Sequence, residues 1–157
     1  MFSNFHNSLA FFSNSSDSCF IARCDFATAP LIFTASTGNT FNLALYTSSA
    51  TLGASTTAYT SSNEITNSSG TAYSAKGKAL TSVTPTLDSS TAVCDFADVS
   101  WTSASFTANG CLIFNDSHST DAAVCAIAFG GDKTVSSGTF TIQFPAAAAT
   151  TAIIRIA

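Results

Sequence analysis

Apolar residues recur at a period of two in many short segments of this chain, which is typical of β-strands buried on one face. The segments Phe20–Phe26, Phe41–Tyr46 and Thr139–Phe144 show this alternation most clearly. Pro145 follows the last of them, and because proline has no N–H to donate to a ladder, we expect that strand to end there. The pattern predicts a fold made mainly of strands.

Seven further apolar segments are bounded by turn residues, and we interpret them as strands too. They are Leu31–Thr34, Ala79–Thr84, Thr91–Phe96, Val99–Thr102, Phe106–Phe114, Ala122–Phe129 and Ala152–Ile156. About ten short strands with little or no helix predict an all-β, single-domain β-sandwich, immunoglobulin-like or jelly-roll. We assign the sandwich to residues 19–157 and an N-terminal arm or extension to residues 1–18. The intervening clusters rich in Ser, Asn and Gly, including residues 130–138, predict turns.

The pair Asn109-Gly110 is a signal for a two-residue hairpin turn within Phe106–Phe114. The apolar residues on either side of the pair nevertheless stay in phase with one another. We therefore expect one continuous strand, with a glycine where a neighbouring backbone approaches closely.

Charge is scarce, with 5 Lys and Arg and 9 Asp and Glu among 157 residues, and the formal net charge is −4. Because DNA and RNA are held largely by Lys and Arg at their phosphates, nucleic acid is not an expected partner. The longest apolar runs, such as Ala122–Phe129, are much shorter than a membrane-spanning helix, so no membrane partner is expected either. The N-terminal segment lacks a basic region and a small-residue cleavage site, so export is not indicated.

Five cysteines form an odd set within mostly apolar, strand-like runs, where cysteine behaves as a small hydrophobic residue. We interpret them as reduced thiols of a protein made in a cytosol. They are Cys19, Cys24, Cys94, Cys111 and Cys125.

No combination of residues indicates catalysis. The chain has only two histidines and no G-x-S-x-G elbow, and Gly77-Lys78 lacks the rest of a P-loop. Asp116, His118 and Asp121 crowd one predicted loop and have the chemistry of cation ligands, but polar side chains in a turn need no such role. We therefore expect no catalytic residue, no cofactor and no metal site, and predict that the protein is not an enzyme.

Three blocks of sequence carry a resemblance to a known family. They are FNLALYTSSATLGASTTAYTSSNEI at Phe41–Ile65, DFADVSWTSASFTANGCLIFND at Asp95–Asp116 and TFTIQFPAAAATTAIIRIA at Thr139–Ala157. In these blocks the chain resembles small virion structural proteins of tailed bacteriophages, of decoration or appendage type. The resemblance spans residues 41–157 and implies a virion component made in the cytoplasm of the host bacterium.

Composition and resemblance together favour a capsid decoration or cement protein that stabilises the head. The alternative within the same virion is a neck, tail or fibre subunit, including a host-binding appendage. A carbohydrate-binding or adhesin module is a third hypothesis, with Trp101, Tyr59 and Tyr73 as candidate stacking rings, although Trp101 is more simply a core anchor.

The expected partners are the major capsid protein or other virion proteins, together with further copies of this chain as a homo-oligomer. Obligate interfaces are poor in charge and rich in aromatic residues, and candidate interface residues lie towards both ends of the sequence. They are Phe2, Phe5, Phe11 and Phe12 in the arm, and Ile153, Ile154, Arg155 and Ile156 in a C-terminal strand with apolar bulk on both faces.

Overall fold

The fold is built from strands in the computed structural model, which describes residues 19–20, 32–34, 37–66 and 71–156. The strands are β1 (Cys19–Phe20), β2 (Phe41–Tyr46), β3 (Lys78–Leu80), β4 (Ser82–Asp88), β5 (Thr91–Phe96), β6 (Val99–Asn115), β7 (Ala122–Ile142) and β8 (Ile154–Ile156). Those ranges contain no helix, and hence none with the length and apolarity needed to cross a membrane. The predicted arm at residues 1–18 lies outside the described residues.

The strands form two antiparallel sheets. Sheet 1 has the order β1-β7-β6-β2-β3, and sheet 2 has the order β4-β5-β8. The predicted all-β architecture is confirmed, and two facing sheets are compatible with a β-sandwich. The predicted number of about ten strands is not confirmed, because the described residues form seven strands of three or more residues and the two-residue β1.

The strand number is lower because predicted neighbours merge. Val99–Thr102 and Phe106–Phe114 both lie on β6, while Ala122–Phe129 and the start of Thr139–Phe144 lie on β7. The turn predicted at residues 130–138 is therefore wrong. Shifts in the β6–β7 register accommodate residues with positive φ on β7, and the strand continues through them.

Two other predicted strands differ from the structure, and a third is not described. Residues 32–34 form no strand, and the carbonyls of Ile32 and Thr34 accept hydrogen bonds from the backbone N–H groups of residues 39 and 38. Ala79–Thr84 divides at Thr81, where the chain passes from sheet 1 to sheet 2. Of Phe20–Phe26, all but Phe20 lies outside the described residues.

Asn109-Gly110 lies inside β6, as predicted. Gly110 pairs with Tyr46 on one side and with Ala128 on the other. A Cβ atom at this position would lie 2.7 Å from the carbonyl oxygen of Ile127, which is closer than real Cβ atoms approach. The close approach of β7 therefore explains the glycine, also as predicted.

Sheet 1 is buried on both faces. Leu43 and Leu45 face the main core between the sheets, whereas Ala44 and Tyr46 face a second apolar cluster on the outer side of the sheet. The segment 47–66 covers that outer side, since Ala50, Leu52 and Tyr59 pack against the second cluster. The sequence predicts burial of one face of β2, whereas both faces are buried in the structure.

A curved ribbon closes the main core at one side. It consists of Val99–Ala108 of β6, which pairs with β7 but not with β2. Repeated register shifts bend this ribbon, as bulges do in antiparallel pairs. The ring of Trp101 contacts those of Phe106 and Phe140 at centroid distances of 6.4 and 6.2 Å, so the core-facing side of the ribbon is aromatic.

Candidate assembly surfaces

The C-terminal interface candidates separate into buried and exposed residues. Ile153 and Ile154 are 7% and 3% exposed and belong to the main core. Arg155 is half-buried, and its Nη1 donates a hydrogen bond to Ala149 O at 3.2 Å. Ile156 is 57% exposed. The arm candidates Phe2, Phe5, Phe11 and Phe12 lie outside the described residues.

Ile156 belongs to a row of apolar side chains that crosses all three strands of sheet 2. Leu87 of β4 pairs with Ala92 of β5, and Ala92 pairs with Ile156 of β8. Directly paired residues project from the same face of a sheet, so the three side chains are neighbours. Leu87 is 71% exposed and Ala92 is exposed as well. We call Leu87, Ala92 and Ile156 the apolar row.

The apolar row lies on the core-facing side of sheet 2. Two residues further along the same strands, Cys94 pairs with Ile154, and both belong to the main core. Side chains two apart on a strand share a face, so the row continues the core surface past the region where the core is covered. The row is therefore an exposed extension of the interior.

The charged residues of these strands lie on the other face of sheet 2. Asp88 accepts a hydrogen bond from Ala149 N at 2.6 Å, and Arg155 donates to Ala149 O. These contacts fix the connection between β7 and β8 against the outer face. The apolar row is consequently free of charge on its own side of β4, β5 and β8.

A second feature is an open groove on the outer side of sheet 1, lined by polar as well as apolar groups. Its volume is about 370 Å³, including the solvent at its mouth, and no charged residue lines it. The lining residues come from the end of β2 and the connection after it, from the middle of β6 and from β7. They are Tyr46, Thr47, Ala50, Leu52, Asn109, Gly110, Ala126, Ile127 and Ala128.

The loop with the cation-ligand chemistry is held by a lysine. Lys76 Nζ lies 3.0 Å from Asp116 Oδ1 and 2.8 Å from Asp121 Oδ2. Hydrogen bonds to Asp121 and Asp116 raise the pKa of Lys76. His118 instead contacts Thr120, with its Nδ1 2.9 Å from the hydroxyl oxygen. In the part of the chain that the structure describes, no group of His, Cys, Asp and Glu side chains has the arrangement of a metal site.

A network of two tyrosines and Glu64 links the segments 47–66 and 71–77 to the sheet. Glu64 accepts hydrogen bonds from Tyr59 at 2.6 Å and from Tyr73 at 2.8 Å. The Tyr73 hydroxyl also accepts one from Leu45 N at 2.9 Å. Burial, followed by the hydrogen bond to Glu64, raises the pKa of Tyr59 to about 12, and burial raises that of Tyr73 further.

The candidate stacking rings are mostly inaccessible. Trp101 and Tyr73 are each 1% exposed, and they stack on one another at a centroid distance of 6.1 Å. The prediction that Trp101 is a core anchor is confirmed. Tyr59 is half-buried and packs against Phe114.

The cysteines with described side chains lie in the interior. Cys94 is 8% exposed, and Cys111 and Cys125 are fully buried. Burial raises the pKa of the Cys94 thiol, which disfavours the reactive thiolate.

Sequence patterns alone did not single out Leu87 and Ala92. The alternation in Thr91–Phe96 places Ala92 on the same face as Cys94 and Phe96, which suggests burial. Only the pairing of Ala92 with two exposed neighbours reveals the row.

Comparison with protein-family models, with curated proteins and with solved structures finds no match to this chain.

Proposed function

We propose that this protein is a non-enzymatic structural component of a tailed-phage virion, and that it serves as a decoration or cement protein of the head. The observation that carries the proposal is the apolar row, a charge-free surface that continues the core of the domain. Exposed apolar surface of this kind favours contact with other proteins. We describe the domain as a β-sandwich of immunoglobulin-like or jelly-roll type.

The three sequence blocks that resemble phage structural proteins support this function, because they contain strands of both sheets. Phe41–Ile65 begins with β2, Asp95–Asp116 includes β6, and Thr139–Ala157 includes the end of β7 and β8. The resemblance therefore concerns elements that organise both sheets.

A neck, tail or fibre subunit is the alternative within the same virion. Its copy number would follow the low rotational symmetry of a tail, whereas a decoration protein would approach the copy number of the major capsid protein. A carbohydrate-binding role receives less support, since Trp101 and Tyr73 are buried.

The test uses virions of the phage that encodes this chain, purified after growth in its host bacterium. Heads and tails are separated, and this chain is quantified in each fraction by mass spectrometry against the major capsid protein. We expect it in the head fraction at a copy number near that of the capsid protein. Its presence only in tails would favour the alternative, and its absence from virions would refute both.

A further inference from the structure

We propose that residues 1–18 continue strand β1 and pair antiparallel with the outer edge of β7 as far as Thr141. The chain's own N-terminal segment is then the occupant of that edge. This pairing concerns a single copy of the chain and does not depend on the proposed role in a virion.

The side of β7 that faces away from β6 is an open edge over most of its length. In sheet 1 that side belongs to β1, which pairs only with Ala126 and Ile127. Along residues 128–142, no strand of the described part of the chain lies on this side. Such an edge presents a row of unpaired N–H and C=O groups, which pair readily with an extended chain that reaches them.

The contacts of Ser100 show which backbone groups of the edge point outward. Ser100 pairs with Thr141, and its carbonyl oxygen accepts a hydrogen bond from Lys78 Nζ. Lys78 belongs to β3, which lies on the opposite side of β6 from β7. Ser100 and Thr141 are therefore a non-hydrogen-bonded pair, whose backbone groups point away from each other. The N–H and C=O of Thr141 point to the open edge, and those of Phe140 and Ile142 point towards β6.

A contact of Phe144 gives the same alternation. Its N–H donates to Asp98 Oδ1 at 2.9 Å, and Asp98 directly precedes β6. Backbone groups two residues apart on a strand point to the same side, so Ile142 shares the side of Phe144 and Thr141 does not. Residues 139–142 contain no charge, glycine or proline, which are common devices that protect an edge from pairing. This part of the edge therefore needs a cover.

The register of β1 determines which segment reaches the edge. β1 runs antiparallel to β7 with Cys19 opposite Ile127, so the residues that precede Cys19 lead along β7 towards Thr141. Thr141 lies 14 residues beyond Ile127, and the residue 14 positions before Cys19 is Phe5. The N-terminal segment is thus long enough to reach Thr141. It contains no proline, so every residue can donate to a ladder.

Tethering favours this segment over a separate chain. Because β1 already holds Cys19 beside β7, the residues before it meet the edge at an effective concentration in the millimolar range. A second copy would have to reach that concentration in free solution to compete. Phenylalanine is enriched in strands, and four phenylalanines lie in the segment, namely Phe2, Phe5, Phe11 and Phe12.

Amide hydrogen exchange of the full chain, followed residue by residue by NMR, tests the proposal. We expect the amide of Thr141 to exchange at least about 100-fold more slowly than an unprotected amide, at every protein concentration. In a chain that lacks residues 1–16 and is folded by circular dichroism, the same amide should exchange at close to the unprotected rate. Phe140 and Ile142 are matched controls, because their amides point towards β6 and should stay protected in both chains.

Two proline variants of the full chain give a second measurement, which also decides the matter if the shortened chain does not fold. Asn4→Pro and Phe5→Pro each remove one N–H near the level of Thr141, and consecutive N–H groups of a strand point to opposite sides. One of the two variants should therefore speed the exchange of Thr141 by about tenfold or more, and the other should have a smaller effect.

Rapid exchange of Thr141 in the full chain would overturn the proposal, as would a failure of both proline variants to speed it. Protection that persists in the folded, shortened chain, or that rises with protein concentration, would also overturn it. The edge would then be covered by a second copy or by another part of the chain. None of these results bears on the copy number of the protein in heads and tails, so the proposed function is tested separately.

Discussion

Gly110 offers a sharp test of the packing between β6 and β7. A Gly→Ala change at a position with compatible backbone stabilises a protein by about 0.4–1 kcal/mol, because alanine restricts the unfolded chain. At Gly110 the added methyl group would lie 2.7 Å from Ile127 O. That oxygen belongs to a backbone held by the β6–β7 ladder, so it cannot move aside as a side-chain end could.

The expected result of Gly110→Ala is a net loss of stability. Overpacking costs about 1–3 kcal/mol, against which the gain from the unfolded state is smaller. The difference between the central values, about 2 and 0.7 kcal/mol, predicts a decrease of about 1.3 kcal/mol in the free energy of unfolding. This is about a tenth to a quarter of the 5–15 kcal/mol that is typical of a folded domain.

Urea denaturation followed by tryptophan fluorescence measures the effect, since Trp101 lies in the core. The transition midpoint should fall while the slope stays constant, as expected for a change in stability alone. Gly53→Ala is the control, because no atom lies within 4 Å of its Cβ position and its φ is not positive. A Gly110→Ala protein as stable as the wild type or the Gly53→Ala variant would refute the packing argument.

Four further substitutions probe other parts of the fold. Tyr73→Phe should lower the free energy of unfolding by about 1–3 kcal/mol, because Glu64 and a backbone N–H lose a buried partner. Since burial raises the pKa of Tyr73, wild-type stability should decline above about pH 10, where only the unfolded tyrosine ionises, and pH titration of Tyr73→Phe should show a smaller decline. Lys76→Met should cost less than about 1 kcal/mol, and the difference in urea midpoint should shrink in high salt. Ile154→Ala should cost about 2–5 kcal/mol by calorimetry, and Ile156→Ala about 0.5 kcal/mol or less.

The strands with regular alternation could be predicted from the sequence, and the curvature of the longest ones could not. Phe41–Tyr46 and Thr91–Phe96 match β2 and β5 residue for residue. The extent of β7 was underestimated, because Gly130-Gly131 and the serines that follow have the composition of a turn. A glycine pair in a bulged strand resembles one in a turn, and only the partner strand distinguishes the two.

The apolar row illustrates a different limit. Period-two alternation indicates which residues share a face, and it correctly groups Ala92 with Cys94. It does not indicate how far the opposite layer extends, so it predicts burial along the whole strand. Exposure of Leu87 and Ile156 depends on where the covering layer ends, which is a property of tertiary packing.

The scarcity of charge takes on a more definite meaning once the described charged residues are located. Most of them make contacts within the chain and so hold connections in place. Glu64 accepts hydrogen bonds from two tyrosine hydroxyls, and Asp98 accepts one from the backbone N–H of Phe144. Lys76 forms ion pairs with two aspartates. The ion pairs of Lys76 with the two aspartates cancel charge locally, whereas a hydrogen bond from a hydroxyl or a backbone N–H neutralises nothing. The few charges of this chain therefore hold its own connections in place, while their sum, a formal net charge of −4, still sets the field around the molecule.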